Sequence, residues 1–97
     1  MKPSEALQLF RNDIRRIVEK NDACNPRVFG SSVYGGDTEN SDLDLLVDPI
    51  DGKTTLISLV QIQLEIESLT GLQVDIATPM ALHERYRRLV LSEAVPV

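Results

Sequence analysis

The stretch FGSSVYGGDTENSDLDLLVD, running from Phe29 to Asp48, decides how the chain is read. It holds three of the five glycines, a Gly30-Ser31 pair, and two acids spaced as Asp42-Leu43-Asp44 in an otherwise apolar run. Alternation from Leu43 to Val47 predicts a strand. Leu43, Leu45 and Val47 then point one way, and Asp42, Asp44 and Leu46 the other. One face belongs to a core and the other carries carboxylates.

Working outward, Arg27-Val28-Phe29 reads as a short strand entering the Gly-Ser loop, with Asn25-Pro26 a turn before it. Upstream, Leu7, Phe10, Ile14, Ile17 and Val18 recur at helical spacing and predict a packing helix from about Pro3 to Asp22. Downstream, Thr54 or Thr55 caps a second helix over about Leu56–Leu69, which Gly71 ends. Leu72 to Ala77 alternates again and predicts a third strand, with Asp75 opposite Leu72, Val74 and Ile76. Thr78-Pro79 reads as the start of a last helix to about Glu93, with Leu82, Tyr86, Leu89 and Val90 as its buried stripe. In the apolar tail Ala94–Val97, Pro96 rules out helical continuation.

The link between the first two strands is too short for a parallel crossover, so they are predicted antiparallel. The helix between the second and third is long enough to make those two parallel. The expected fold is α/β (α+β): a small mixed three-stranded sheet flanked by helices, in a single domain spanning residues 1–97.

Ninety-seven residues, 42% of them hydrophobic, suffice for one compact core but not for a separate acceptor-binding domain. A partner or a dimer is therefore expected to complete any site. The net charge of -5 argues against a general nucleic-acid binder. A single cysteine, Cys24, excludes an internal disulfide and a Cys/His metal set. No apolar run approaches the ~20 residues of a membrane-spanning helix, so a cytoplasmic protein is expected.

Asp42 and Asp44, on one face with α-carbons ~6–7 Å apart, repel each other and lose hydration if left unpaired. A divalent cation resolves both problems, and oxygen ligands select magnesium, or manganese, over zinc. Strand matching would bring Asp75 to the same cluster, and three carboxylates suit two metal ions. Gly30 permits close backbone approach, and the free amides of the turn it opens favour an anion. A Gly-Ser pair by itself, without a following Gly-Lys-Ser/Thr, is a weak signal and far more often an ordinary tight turn.

Gly30-Ser31, then Gly35, then Ser41-Asp42-Leu43-Asp44-Leu45, with Asp75 in a Val-Asp-Ile strand and the ending Glu93-Ala94-Val95-Pro96, resembles the DNA polymerase beta-like nucleotidyltransferase superfamily. It is most similar to the minimal nucleotidyltransferases, MNT. The resemblance implies that Gly30, Ser31 and Ser41 contact the nucleotide and that Asp42, Asp44 and Asp75 bind two magnesium ions. It further implies AMP transfer from ATP, and an antitoxin role toward a HEPN-domain RNase toxin modified on a tyrosine. One departure stands out: Ser32-Val33-Tyr34 occupies the place where the family loop often carries arginines. Charge-assisted bonds are the strong ones, so Arg85, Arg87 or a partner residue would have to supply that charge. Without it the chain would neutralise its partner by binding alone. His83 is expected at a surface or capping position, and Tyr34 either fills the loop or packs on an adenine ring.

Overall fold

The computed structural model describes residues 1–97. Helix α1 (Pro3–Lys20) starts with proline inside its first turn, where the missing N–H costs little, and ends at Asn21. It is two residues shorter than predicted, because Asp22 takes a left-handed conformation with φ 64°. Strand β1 (Ala23–Phe29) antiparallels β2 (Leu43–Pro49). It begins four residues earlier than Arg27. Asn25, at φ 52°, forms a bulge that accommodates Pro26 within the strand. What reads as a turn in sequence is a strand irregularity.

Helix α2 (Leu56–Thr70) is capped by the Thr55 hydroxyl, which accepts the Ser58 amide at 3.1 Å. Gly71 closes it at φ 73°, a left-handed position that favours glycine. The chain then enters β3 (Val74–Ala77), parallel to β2. Both strand orientations are as the link lengths required.

The sheet has four strands, not three. The tail forms β4 (Val95–Pro96), which pairs antiparallel with β1 and sets the order β3-β2-β1-β4. Pro96 sits on an edge strand, where its missing donor is harmless. The Val97 amide donates to Pro26 O at 3.0 Å, and Arg15 Nε donates to Val97 O at 2.6 Å.

The predicted last helix is also divided. Pro79–Ala81 makes one 3₁₀ turn, Leu82 is extended, and α3 (Glu84–Glu93) starts afresh. His83 caps it, its Nδ1 accepting the Arg85 amide at 3.0 Å. Arg87 pins the break, donating to Pro79 O at 2.8 Å and Leu82 O at 3.0 Å. The stripe predicted as buried is not: Tyr86 and Leu89 stand in solvent, while Leu82 and Val90 are half-buried.

The core lies between α1, α2 and one face of the sheet. Ile14, Val18, Ile62 and Ile66 meet Val28, Leu43, Leu45, Val47 and Val74 there. The opposite face holds the register rows Phe29–Asp44–Asp75 and Arg27–Leu46–Ala77.

Candidate active site

Parallel pairing of β2 with β3 puts Asp44 and Asp75 directly opposite each other on adjacent strands. Asp42 lies one residue before β2, near enough for its charge to act on Asp44. Asp44 is half-buried, and burial first of all pushes its carboxyl up to about 6. The Asp75 charge, hydrogen bonding between the two carboxyl groups, and the Asp42 charge push the same way. Asp44 is thus the acid on which the charges of the other two act.

Their chemistry fits a hard divalent cation. Mutual repulsion is relieved only by protonation or by a positive charge, and all the donors are carboxylate oxygens. No three such side chains converge as a ready-made cage. Magnesium needs none, since it takes one or two carboxylates and fills its shell with water and phosphate oxygens.

Gly30 closes the site from the β1 side. Its φ of 84° is left-handed, and a Cβ built there would collide with Asp44 Oδ2. Glycine is required twice over, once by the backbone and once by the carboxylate packed against it. The following residues make one helical turn. Val33 N donates to Gly30 O at 3.1 Å and Tyr34 N to Ser31 O at 3.3 Å, while Gly36 N closes back on Ser31 O at 3.2 Å. Gly35 at φ 70° permits that closure. The Ser31 and Ser32 amides are not donors in this set, so they stay free at the head of the turn beside Asp44. The buried Ser32 hydroxyl also lacks a partner. The turn at Gly30-Ser31 thus presents two unpaired amides and an unpaired hydroxyl.

Ser41, expected at the nucleotide, is bonded within its own loop. Its hydroxyl accepts the Thr38 amide at 2.8 Å and its amide donates to Thr38 O at 3.1 Å. It thereby shapes the loop that delivers Asp42. Tyr34 does not fill the loop, being 66% exposed. The Glu93 carboxylate, within hydrogen-bonding reach of its hydroxyl, holds that hydroxyl above the ordinary tyrosine range, helped by desolvation. Arg87 is committed to carbonyls of the 3₁₀ turn and is not free for phosphate.

Asp37 carries a duty that sequence reasoning missed. It is buried, and its carboxylate accepts the Ser4 amide at 2.8 Å, tying the loop between Gly36 and Asp42 to the first turn of α1. That amide, chiefly, holds the Asp37 carboxyl below the usual carboxylate range. An acid next to a glycine pair is the only local signal of it.

Comparison with known proteins agrees with this geometry. The nucleotidyltransferase domain family matches residues 11–97, and the chain belongs to that family. Among its relatives is a Methanocaldococcus jannaschii protein named as a protein adenylyltransferase, MJ0435, 34% identical over 90 residues that cover 89% of this chain and 96% of that one. A solved structure described as a minimal nucleotidyltransferase superposes with a TM-score of 0.86 at 38% identity, covering 97% of this chain and 95% of that one. The fold is also that of a chain in the complex of a tri-AMPylated Shewanella oneidensis HEPN toxin with an MNT antitoxin. There the TM-score is 0.68 and the identity 19%, covering 92% of this chain and 69% of that one. The four-stranded mixed sheet with three helices is thus the minimal nucleotidyltransferase fold.

Proposed function

We propose that this chain is a single-domain, magnesium-dependent nucleotidyltransferase antitoxin. In this reading it moves AMP from ATP to a tyrosine hydroxyl of a cognate HEPN RNase toxin and thereby neutralises it. The observation that carries the reading is the register of Asp44 against Asp75 beside Gly30. The names of the M. jannaschii relative and of the S. oneidensis complex support it.

Asp42, Asp44 and Asp75 would hold two magnesium ions, which would supply Lewis acidity at the α-phosphate and charge for the departing pyrophosphate. The free Ser31 and Ser32 amides and the Ser31 hydroxyl would bind the phosphate chain and fix its orientation. The acceptor hydroxyl oxygen forms a bond to the α-phosphorus as the bond to the bridging oxygen of the β-phosphate breaks. Asp75, exposed at the outer strand, would take the acceptor's proton.

The test is mass spectrometry of the toxin co-expressed with this chain. The expected result is an adenylyl group on a toxin tyrosine, absent with Asp44→Asn. An equally labelled toxin with that variant would refute the assignment. One observation favours a second reading, neutralisation by binding alone: at Tyr34 the loop presents an aromatic ring beside the acidic Glu93 rather than a cation. If a chain with all three acids changed to asparagine still neutralises the toxin, binding alone is the mechanism.

A further inference from the structure

Helix α3 crosses the site face of the sheet. It starts after the 3₁₀ turn that packs against β2, and it leads into β4 on the far edge. Its 10 residues span ~15 Å, close to the ~14 Å that three strand spacings put between β3 and β4. None of them is buried, and only Arg87 and Val90 are half-covered, which marks their side as the one turned to the sheet.

Tyr86, Leu89 and Glu93 fall within about 60° of one another around the helix, flanking that side. Strand register fixes where the flank points. Antiparallel β4 sets Val95 opposite Val28 and Pro96 opposite Arg27, so Glu93 comes level with Gly30. There its carboxylate reaches the hydroxyl of Tyr34, in the turn that Gly30 opens. Tyr86 and Leu89 therefore look onto the uncovered quarter that holds Asp44 and Asp75, and Tyr34 extends the same wall. Tyr86 is 56%, Leu89 55% and Tyr34 66% exposed. Within the chain Tyr86 meets the His83 ring at a centroid distance of 6.0 Å, and its outer surface stands in water.

We propose that this wall is where the acceptor protein docks, with Tyr34, Tyr86 and Leu89 holding the segment that carries the acceptor tyrosine. On the transfer reading, which this presupposes, the acceptor oxygen comes within ~3–3.5 Å of the α-phosphorus bound at Asp44 and Asp75. A phenol sits on a short side chain, so the acceptor backbone has to descend into the quarter beside those acids. A segment that enters it lies along this flank of α3.

The chemistry of the wall selects a protein. Two tyrosines and a leucine, with one carboxylate already engaged by a phenol, are the aromatic, charge-poor set that forms interface centres. A small polar acceptor would need hydrogen-bonding groups in their place. An acid on the wall and a net charge of -5 disfavour RNA.

The test is steady-state adenylylation of the purified cognate toxin, with the toxin concentration varied. Leu89→Ser and Tyr86→Ser are each expected to raise KM for the toxin about tenfold or more, the usual cost of losing an interface anchor. Their affinity for magnesium with a non-hydrolysable ATP analogue, and their far-UV circular dichroism, are expected to match the wild type. Leu64→Ser, at a 53% exposed position of α2, removes the same side chain from the opposite layer and is expected to leave KM unchanged. An unchanged KM in both α3 variants, or an equal rise with Leu64→Ser, would overturn the docking wall and leave the transfer reading standing. A wild type that binds the toxin without labelling it would instead overturn the transfer reading. The same ranking in dissociation constants would then support the wall, and equal constants would overturn it.

Discussion

Asp44 and Leu45 are adjacent in β2 and face opposite sides of the sheet. On the Leu45 side, Leu43, Leu45 and Val47 are wholly buried under α1 and α2. On the Asp44 side only half the surface is covered. Leu46 is fully buried outside the main cluster, where the 3₁₀ turn packs against β2, while Asp44 and Asp75 stay partly open. With two long helices and a short third one, the chain commits its packing to one face and to the lower half of the other. The uncovered quarter is where the carboxylates stand. There the charges of Asp75 and Asp42 act on the Asp44 carboxyl, while the strand is secured from its other face.

If that division holds, substitutions on the two faces separate stability from chemistry. Asp44→Asn should lower adenylyl transfer about 10³-fold, the rate equivalent of the several kcal/mol that a lost metal contact costs. Without metal the same variant should melt higher, by ~1 kcal/mol, since it removes a half-exposed charge held against its neighbours. Transfer kinetics and thermal melting in chelator check both parts. One position along, Leu45→Ala should cost ~2–5 kcal/mol of stability by denaturant unfolding, with activity per folded molecule unchanged.

Gly30→Ala is the substitution that should affect both sides of the comparison. It strains a left-handed backbone by ~1–3 kcal/mol and displaces the Asp44 carboxylate. Magnesium affinity should fall ~10–100-fold, as when a group supporting a metal ligand is lost. Calorimetric titration would detect it, and an unchanged affinity would mean that Asp44 does not depend on Gly30.

The smallest effect is expected at Asp37→Ala, ~1 kcal/mol, the usual worth of a capping carboxylate. A lowered folded pKa means that the contribution is complete above the unfolded value of ~3.9 and lost as pH falls through the folded one. Wild type and variant should therefore differ in melting near neutral pH and converge in acid.

How much of this was legible in the sequence follows from the range of each signal. The helices α1 and α2 and the strands β2 and β3 are long enough for their periods to appear, and link length fixed the strand directions. Asp42, Asp44 and Asp75 were legible because acids are conspicuous in apolar strands. Two-residue β4 has no period to detect, and it exists only because the tail pairs with β1. The start of β1 was hidden by Asn25-Pro26, since local turn chemistry cannot tell a bulge from a turn. The break at Leu82 depends on Arg87 reaching back to carbonyls, and the duty of Asp37 on Ser4, 33 residues away. Both are tertiary contacts with no local signature.

Whether the facing carboxylates of β2 and β3 are a metal–nucleotide site is tested most directly, and without any partner, by calorimetric titration of magnesium with a non-hydrolysable ATP analogue. The expected result is magnesium-dependent binding to the wild type that is lost in both Asp44→Asn and Asp75→Asn, with the fold retained. Binding that persists undiminished in either variant, or that needs no magnesium, would contradict it.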